Sequence, residues 1–290
     1  MGLHEPIFSL EVFPPRRNAS VCSIYDTLDG LEGVKPDFIS VTYGTGKHAD
    51  RTATARICAT IGQEYGLAAV AHLTAQYMTR EMVDEALDMF EEAGVQAVLP
   101  LRGDCVEGRE PVGVFTYARD LIDYVHASKP RMKIVAACYP ETHPEASSPE
   151  ADIAHLKEKV DAGAEHLISQ LFYSNEDFMR FLDRARAAGI SVPIEAGIMP
   201  VTRASQVRHM SQTCGSRIPA QVVRMLDKWE DNPQALSEAG IAYASEQICD
   251  LLAQGVDGIH LYSMNHPVVT RRIWRNVEPL FVEIPNSTLF

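Results

Sequence analysis

Ile7-Phe8-Ser9-Leu10-Glu11-Val12-Phe13-Pro14-Pro15-Arg16-Arg17 is the stretch on which the fold turns. It opens as a short apolar run suited to a strand buried on both faces, and then continues in prolines and arginines with no glycine. An open, doubly wound sheet that binds a dinucleotide would place G-x-G-x-x-G after its first strand, where glycines form the tight turn and admit a pyrophosphate. Without that turn, the run reads as the first strand of a closed parallel barrel.

Seven similar runs follow: Phe38–Thr42, Ala68–Ala71, Ala97–Leu101, Lys133–Cys138, His166–Phe172, Val192–Ile198 and Gly258–Tyr262. Amphipathic stretches separate them. In Arg80–Ala93, Met82, Ala86, Met89, Phe90 and Ala93 recur at helical spacing, while Asp84, Glu85, Asp88, Glu91 and Glu92 fill the other face. That stretch stops at Gly94, and Ala151–Ala162, Asp177–Ala188 and Leu236–Gln254 likewise stop at Gly163, Gly189 and Gly255. Eight alternations of strand and helix predict an α/β fold, a TIM (β/α)8 barrel, as one domain over residues 1–290. Arg203–Cys214, Ile218–Leu226 and Asp231–Gln254 predict extra helices after the seventh strand, near the upper rim, and Pro279–Phe290 reads as an irregular tail packed outside.

Of the 290 residues, 46% are hydrophobic and 22% charged, enough to bury a large core without disulfides or metals. The formal net charge of -13 argues against a nucleic-acid partner, which needs a basic surface, but allows a local basic pocket for a small anion. The six cysteines are scattered and form no C-x-x-C pair, so they read as reduced thiols rather than metal ligands. No stretch looks like a signal peptide or a membrane span, and a cytoplasmic enzyme is the expectation.

Catalytic groups in such a barrel come from the carboxyl ends of several strands. Glu11, between Leu10 and Val12, should face the interior, where burial would raise its pKa and suit it to general acid work; the plainer reading is a structural glutamate paired with Arg16 or Lys47. Thr42 ends the second strand as a ligand donor or a loop cap. The following Gly44-Thr45-Gly46-Lys47 lacks the spacing of a phosphate-binding loop. His72 ends the third strand, as a ligand contact or a structural histidine, with no partner at metal-ligand spacing. Arg102-Gly103-Asp104 offers a cation, an accessible backbone and a carboxylate. Tyr139-Pro140-Glu141-Thr142-His143-Pro144-Glu145-Ala146 is a stiffened polar loop. Gln170 donates and accepts at once, which matches the edge of a pterin or a carboxamide.

These segments resemble the methylenetetrahydrofolate reductase family. The resemblance rests on Leu10-Glu11-Val12-Phe13-Pro14-Pro15, Ser40-Val41-Thr42-Tyr43-Gly44, Asp50-Arg51-Thr52, His72-Leu73-Thr74, Arg102-Gly103-Asp104, Tyr139-Pro140-Glu141 with His143-Pro144-Glu145-Ala146, Lys157 to Gly163, and Gly197-Ile198-Met199-Pro200, with Arg217-Ile218-Pro219 and Tyr262-Ser263-Met264-Asn265 after them. They occur in family order across nearly the whole chain.

The resemblance implies non-covalent FAD and the reduction of 5,10-methylenetetrahydrofolate to 5-methyltetrahydrofolate, in one-carbon metabolism and methionine supply. It implies NADH or NADPH as donor, in a ping-pong cycle on one flavin face. Glu11 then corresponds to the general acid of ring opening, Asp104 to the carboxylate beside flavin and pterin, and Gln170 to the amide that meets pterin and nicotinamide in turn. Thr42, His72, Arg102, Gly103, Asp104, Tyr139, His143, Ala146, Asp152 and Lys159 correspond to the FAD-binding set, with Tyr117 and Ala118 matched across a small insertion. Arg102 and Lys159 would offset the pyrophosphate charge. Two substrate-binding positions depart from the family pattern: His266 stands where many relatives carry an arginine facing the folate tail, and Met210 where a relative carries an aromatic. The loop around Lys47 and His48 is shortened. The family also implies self-association into a homo-oligomer, and some members take electrons from a redox partner protein. A folate-using barrel methyltransferase and a flavin-less docking subunit are the competing readings.

Overall fold

The computed structural model describes residues 5–15, 22–43, 51–105 and 108–281, the side chains of Cys22, Ser23 and Arg51 aside. Eight strands, β1 (Ile7–Val12), β2 (Phe38–Val41), β3 (Ala68–Thr74), β4 (Ala97–Leu101), β5 (Lys133–Cys138), β6 (His166–Ser169), β7 (Ile194–Ile198) and β8 (Gly258–Tyr262), pair in chain order and in parallel. The barrel closes by pairing β8 with β1, Ile7 opposite Gly258 and Glu11 opposite Tyr262. Around it run α1 (Cys22–Asp29), α2 (Arg51–Glu64), α3 (Arg80–Glu92), α4 (Ala118–Ser128), α5 (Pro149–Asp161), α6 (Asn175–Ala187), α7 (Ala204–Cys214), α8 (Ala220–Trp229), α9 (Pro233–Ala253) and α10 (Pro267–Val277). The predicted barrel and the extra helices after β7 are therefore present.

Local chemistry sets the helix ends. Thr79 accepts the Met82 N–H to start α3, and Ser148 accepts the Ala151 N–H ahead of Pro149 to start α5. Asn232 does the same for Ala235, ahead of Pro233, at the start of α9. Gly94, Gly163, Gly189 and Gly255, just past α3, α5, α6 and α9, all have positive φ, as the helix stops in the sequence imply.

Alternate strand residues divide the core. Outward-facing Phe8, Leu10, Val12, Ile39, Val41, Leu73, Val98, Ile134, Leu167, Ile194, Ile259 and Leu261 are buried against the helices. Each such side chain contributes roughly 1.5–3 kcal/mol by leaving water. Phe8 also packs on Trp274 and on Phe281, at ring distances of 4.6 and 5.2 Å, so the start of the tail does lie on the outside of the barrel; residues 282–290 fall outside the described residues. A second cluster, inside the barrel, holds Val70, Leu99, Val135 and Ile168, with Phe38, Ala97, Leu101 and Ala137 against it.

Some strand limits differ from the sequence reading. The run His166–Phe172 pairs as a strand only to Ser169. Beyond it, Gln170 Oε1 accepts the Leu171 N–H at 2.9 Å, so a side chain takes up an amide that the ladder would otherwise use. Leu171 and Tyr173 are apolar in character because they enter the cluster under α7 and α8, and Phe172 because it packs on Phe178. β3 extends to Thr74, three residues beyond the apolar run, because His72 and Thr74 face inward while Leu73 keeps the outer face buried. β2 stops at Val41 and β7 begins at Ile194.

Gly197 is required by close approach. A Cβ there would lie 2.2 Å from the Ser169 carbonyl oxygen and 2.9 Å from the Tyr262 ring. This space lets Tyr262 cross the barrel and donate its hydroxyl to Ser169 O at 2.8 Å. Gly197→Ala is expected to destabilise the protein by about 1–3 kcal/mol through overpacking; a urea midpoint unchanged from the parent protein would contradict it.

Candidate active site

At the carboxyl ends of the strands a cavity of about 460 Å³ opens, lined among others by Glu11, Thr42, His72, Asp104, Gln170, Met210 and Tyr262. A second cavity of about 440 Å³ is lined by Tyr117, Ala118, Arg119, Glu145, Ala146, Asp152 and their neighbours. Arg102, Ala118, His143 and Lys159 line both, so the two adjoin.

β1 presents Glu11 inward, as its place between Leu10 and Val12 requires. The loop after β8 holds this strand end from both sides. Ser263 Oγ donates to the Glu11 carbonyl at 2.5 Å. Asn265 accepts the Phe13 N–H at 3.1 Å and donates to the Phe13 carbonyl at 2.9 Å. Met264 and Asn265 reach these contacts with φ of 52° and 53°. The Glu11 carboxyl lies 3.6 Å from His72 Nε2 and 4.0 Å from His260 Nε2. Arg16 and Lys47, the partners of the plainer reading, lie outside the described residues, as does the Lys47–His48 loop. Burial holds His72 below the ordinary histidine range, with Glu11 opposing the shift only in part.

β4 ends in Arg102, Gly103 and Asp104, and Gly103 turns the chain with φ +91°. Asp104 is exposed on the rim of the first cavity. Gln170, with its Oε1 engaged by Leu171, has the Tyr139 phenol within hydrogen-bonding reach. Burial pushes the Tyr139 hydroxyl up to about 12, so this side chain stays neutral. Tyr139 also meets the His143 ring edge-on at 4.6 Å. Thr42 lines the first cavity, while its backbone carbonyl accepts the Thr54 hydroxyl at 2.9 Å.

The junction of the cavities is cationic within an acidic protein. Lys159, half-buried, donates to the Ala137 carbonyl at 2.9 Å, and desolvation lowers its pKa. His143 Nδ1 accepts the Glu145 N–H at 3.1 Å, so a neutral ring carries its proton on Nε2; burial lowers its pKa. Ala118 opens α4, and the unpaired N–H groups and dipole of a helix start favour an anion. Arg102 is engaged by Glu145 in a two-pronged pair at 2.5 and 2.8 Å. Asp152 accepts the His143 N–H at 2.9 Å, which makes it a support for that loop as well as a lining residue.

The sequence-predicted site thus converges. Glu11, Thr42, His72, Arg102, Gly103, Asp104, Ala118, Tyr139, His143, Lys159, Gln170 and Met210 line the first cavity, and Tyr117, Ala146 and Asp152 join at the second. His266 lines neither; it caps α10, two residues beyond Met264, which does line the first. Sequence reasoning missed Thr74, Met199, Tyr262 and Met264 as lining residues. Tyr262 was readable from the two-residue alternation of Gly258, His260 and Tyr262. Among the described residues no group of three or more His, Cys, Asp or Glu is placed to hold a metal ion, and no helix is long and apolar enough to cross a membrane. The five described cysteines are free thiols.

Polar side chains delivered from several different strands above a packed interior place this protein in the (β/α)8 barrel class. Comparison with known proteins narrows the class. The chain belongs to the methylenetetrahydrofolate reductase family, an oxidoreductase family, whose model matches residues 3–278. It is 36% identical over 258 residues to the 5,10-methylenetetrahydrofolate reductase of Pectobacterium carotovorum subsp. carotovorum, covering 89% of this chain and 85% of that one. It is 35% identical to the Escherichia coli K12 enzyme of that name, with coverage of 89% and 86%. Against Methylenetetrahydrofolate reductase (NADH) 1 of Arabidopsis thaliana the identity is 34%, but the match spans only 46% of the plant protein. A Clostridium thermocellum structure described as binding two copies of 5-methyl-5,6,7,8-tetrahydrofolic acid shares the fold at TM-score 0.67 and 12% identity, over 96% of this chain and 95% of that one.

The Arg102–Glu145 pair generates one prediction. Glu145 is 59% exposed, so its hold on Arg102 is screened. Glu145→Gln is expected to free the guanidinium and tighten binding of ADP, a diphosphate probe, roughly two- to fivefold by calorimetry. Unchanged affinity would show that Glu145 does not compete for the junction.

Proposed function

We propose that this protein reduces 5,10-methylenetetrahydrofolate to 5-methyltetrahydrofolate, with FAD held across the two cavities and a reduced nicotinamide, NADH or NADPH, as electron donor. The observation that carries this reading is the pair of adjoining cavities: an acid and an amide stand in the first, and Arg102, Lys159, His143 and the α4 start stand at their junction.

The residues present fit the cofactor. A dinucleotide needs a flat space for its ring system, cations for its two phosphates and a separate space for its adenosine. The first cavity, the junction and the second cavity supply these in that order. Arg102, Lys159 and the Nε2–H of His143 would hold the phosphates; Tyr117, 59% exposed, stands beside the second cavity where it can cover the adenosine. Bound there, FAD would supply hydride transfer between donor and folate.

The side chains of the chain do the rest. Glu11 gives a proton to N10 of the folate as the bond from the methylene carbon to N10 breaks, leaving the carbon on N5 open to hydride. Gln170 offers one donor and one acceptor to the pterin edge and then to the nicotinamide carboxamide. Asp104, on the rim, tunes the charge near the reacting rings. Both substrates use the first cavity in turn, which is what a ping-pong cycle requires. His266 and Met210 shape recognition of the folate tail and the stacking partner of the rings. Self-association into a homo-oligomer belongs to this reading; a monomer by light scattering would contradict it.

A visible spectrum of the purified protein, followed by anaerobic addition of NADH and then methylenetetrahydrofolate, tests the whole reading. Flavin bands should bleach with the donor and return with the folate. Bands indifferent to NADH and NADPH would point to a partner protein as donor, and a protein that neither carries nor takes up FAD would refute the reading. Glu11→Gln should abolish folate reduction, a loss of roughly 10²–10⁴-fold, while sparing flavin reduction by the donor; equal loss in both half-reactions would remove Glu11 from the acid role. Asp104→Asn should retain FAD and slow the folate step more than the donor step, and an unchanged folate step would count against it.

A further inference from the structure

The interior of the barrel below Glu11 is not uniformly apolar. Val70, Leu99, Val135 and Ile168 fill one side. On the other side β6, β7, β8 and β1 contribute His166, Glu195, His260 and Ser9. Ser9, Glu195 and His260 are fully buried. None of the four lines the active-site cavity. Burying a carboxyl carries a large desolvation cost, and Val or Ile at these positions would avoid it.

The four side chains form one connected line. His166 Nε2 lies 2.5 Å from Glu195 Oε1. The other oxygen of Glu195 accepts the Ser9 hydroxyl. Ser9 Oγ lies 2.6 Å from His260 Nδ1. The far nitrogen of His260, Nε2, is buried, has no hydrogen-bond partner among the described residues, and faces the Glu11 carboxyl at 4.0 Å. Glu11 is itself 17% exposed at the mouth, so a small rotation of its side chain completes the contact. At the opposite end, His166 is the first residue of β6, at the amino-terminal end of the barrel, and its side chain is 16% exposed. The line therefore runs from solvent at one end of the barrel to Glu11 at the other.

We propose that His166, Glu195, Ser9 and His260 form a proton path through the barrel that recharges Glu11 from the end opposite the substrate. This inference rests on the reading of Glu11 as the acid of the folate step. That step takes one hydride to carbon and one proton to N10, so Glu11 leaves each turnover as a carboxylate and must regain one proton. The folate occupies the cavity into which Glu11 faces, and a supply from below does not require that cavity to clear.

Every member can both accept and release a proton. In the receiving arrangement the Ser9 hydroxyl points at His260 Nδ1, and His260 Nε2–H points at the Glu11 carboxylate. Glu11 takes the Nε2 proton, Nδ1 takes the Ser9 proton, and Ser9 takes a proton from Glu195. Afterwards Ser9 donates to Glu195, His260 donates from Nδ1 to Ser9, and the bare Nε2 faces a protonated Glu11. Glu195 then takes a proton from His166, which takes one from water, and the line resets when the carboxyl and hydroxyl rotate and the His260 ring turns so that an N–H again faces Glu11. One proton enters and one reaches Glu11, with no change of oxidation state. His72 touches the same Glu11 oxygen at 3.6 Å but has no continuation toward solvent through these groups.

The test uses the FAD-loaded protein. Glu195→Gln keeps the shape and the acceptor for Ser9 but cannot carry the proton; Ser9→Ala cuts the line without changing charge. Reduced protein mixed with methylenetetrahydrofolate should make its first equivalent of methyltetrahydrofolate at the parent rate, because the first proton comes from Glu11 itself. Later turnovers should slow by on the order of tenfold or more, giving a burst of one product per flavin, with an enlarged D₂O effect confined to the slow phase. Flavin reduction by the donor should not change. His166→Gln, at the partly exposed end, should give the same burst and decides the matter if a buried variant does not fold. Unchanged steady-state turnover and D₂O effect would overturn the proposal. So would a first turnover slowed as much as later ones, which would mean that the line only positions Glu11. Absence of a first turnover in the unaltered protein would instead refute the reductase reading.

Discussion

The pairing of β8 with β1 is the interaction on which the rest depends. Ile7 to Glu11 lie opposite Gly258 to Tyr262, and this register closes the sheet so that no edge remains. Closure forces every second residue of each strand into a narrow interior. It also brings the ends of the chain together: the loop after Tyr262 clamps Glu11 and Phe13 through Ser263 and Asn265. The end of β1 that carries Glu11 is held by residues some 250 positions away in sequence, which is why its geometry is a property of the closed barrel rather than of its own strand.

Interior positions are few, so each one given to a polar side chain is a position lost to the core. The barrel resolves this by dividing its interior. One side is apolar, around Val70, Leu99, Val135 and Ile168. The other carries a hydrogen-bonded line in which each polar group meets another, at the desolvation cost that buried charge and dipole incur. Gly197 and Gly258 keep this side open: a Cβ at Gly258 would press on Ile7 and approach Glu195 at 3.1 Å. Small residues here make room for large polar ones, where bulky aliphatics would give a denser core.

At the carboxyl ends the strands no longer pair, and loops supply the chemistry. There an acidic chain assembles a local cationic site from Arg102, Lys159, His143 and the start of α4. Net charge describes the solvated surface, whereas a binding site is governed by groups within a few ångströms, where water screens least. Glu145 stands against Arg102, so the same loop after β5 carries both a residue that lines the junction, His143, and the carboxylate that engages its arginine.

The sequence by itself determined the fold class and named many of the residues that line the two cavities. Eight short apolar runs separated by amphipathic stretches with glycine stops specify strand and helix locally, and strand-end residues such as Glu11, Arg102, Asp104 and Gln170 announce themselves because a buried strand has little other use for them. Strand limits were less legible: His166–Phe172 stays apolar past its last paired residue, because burial under helices selects the same side chains as burial in a sheet. Only the tertiary structure decided that Ser9, His166, Glu195 and His260, spread over more than 250 residues, make one line, that Arg102 faces Glu145, and that His266 caps a helix beside the cavity rather than lining it. Hydrophobic periodicity is a local property that survives in any single segment, whereas hydrogen bonds between strands distant in sequence exist only once the barrel has closed and set their register.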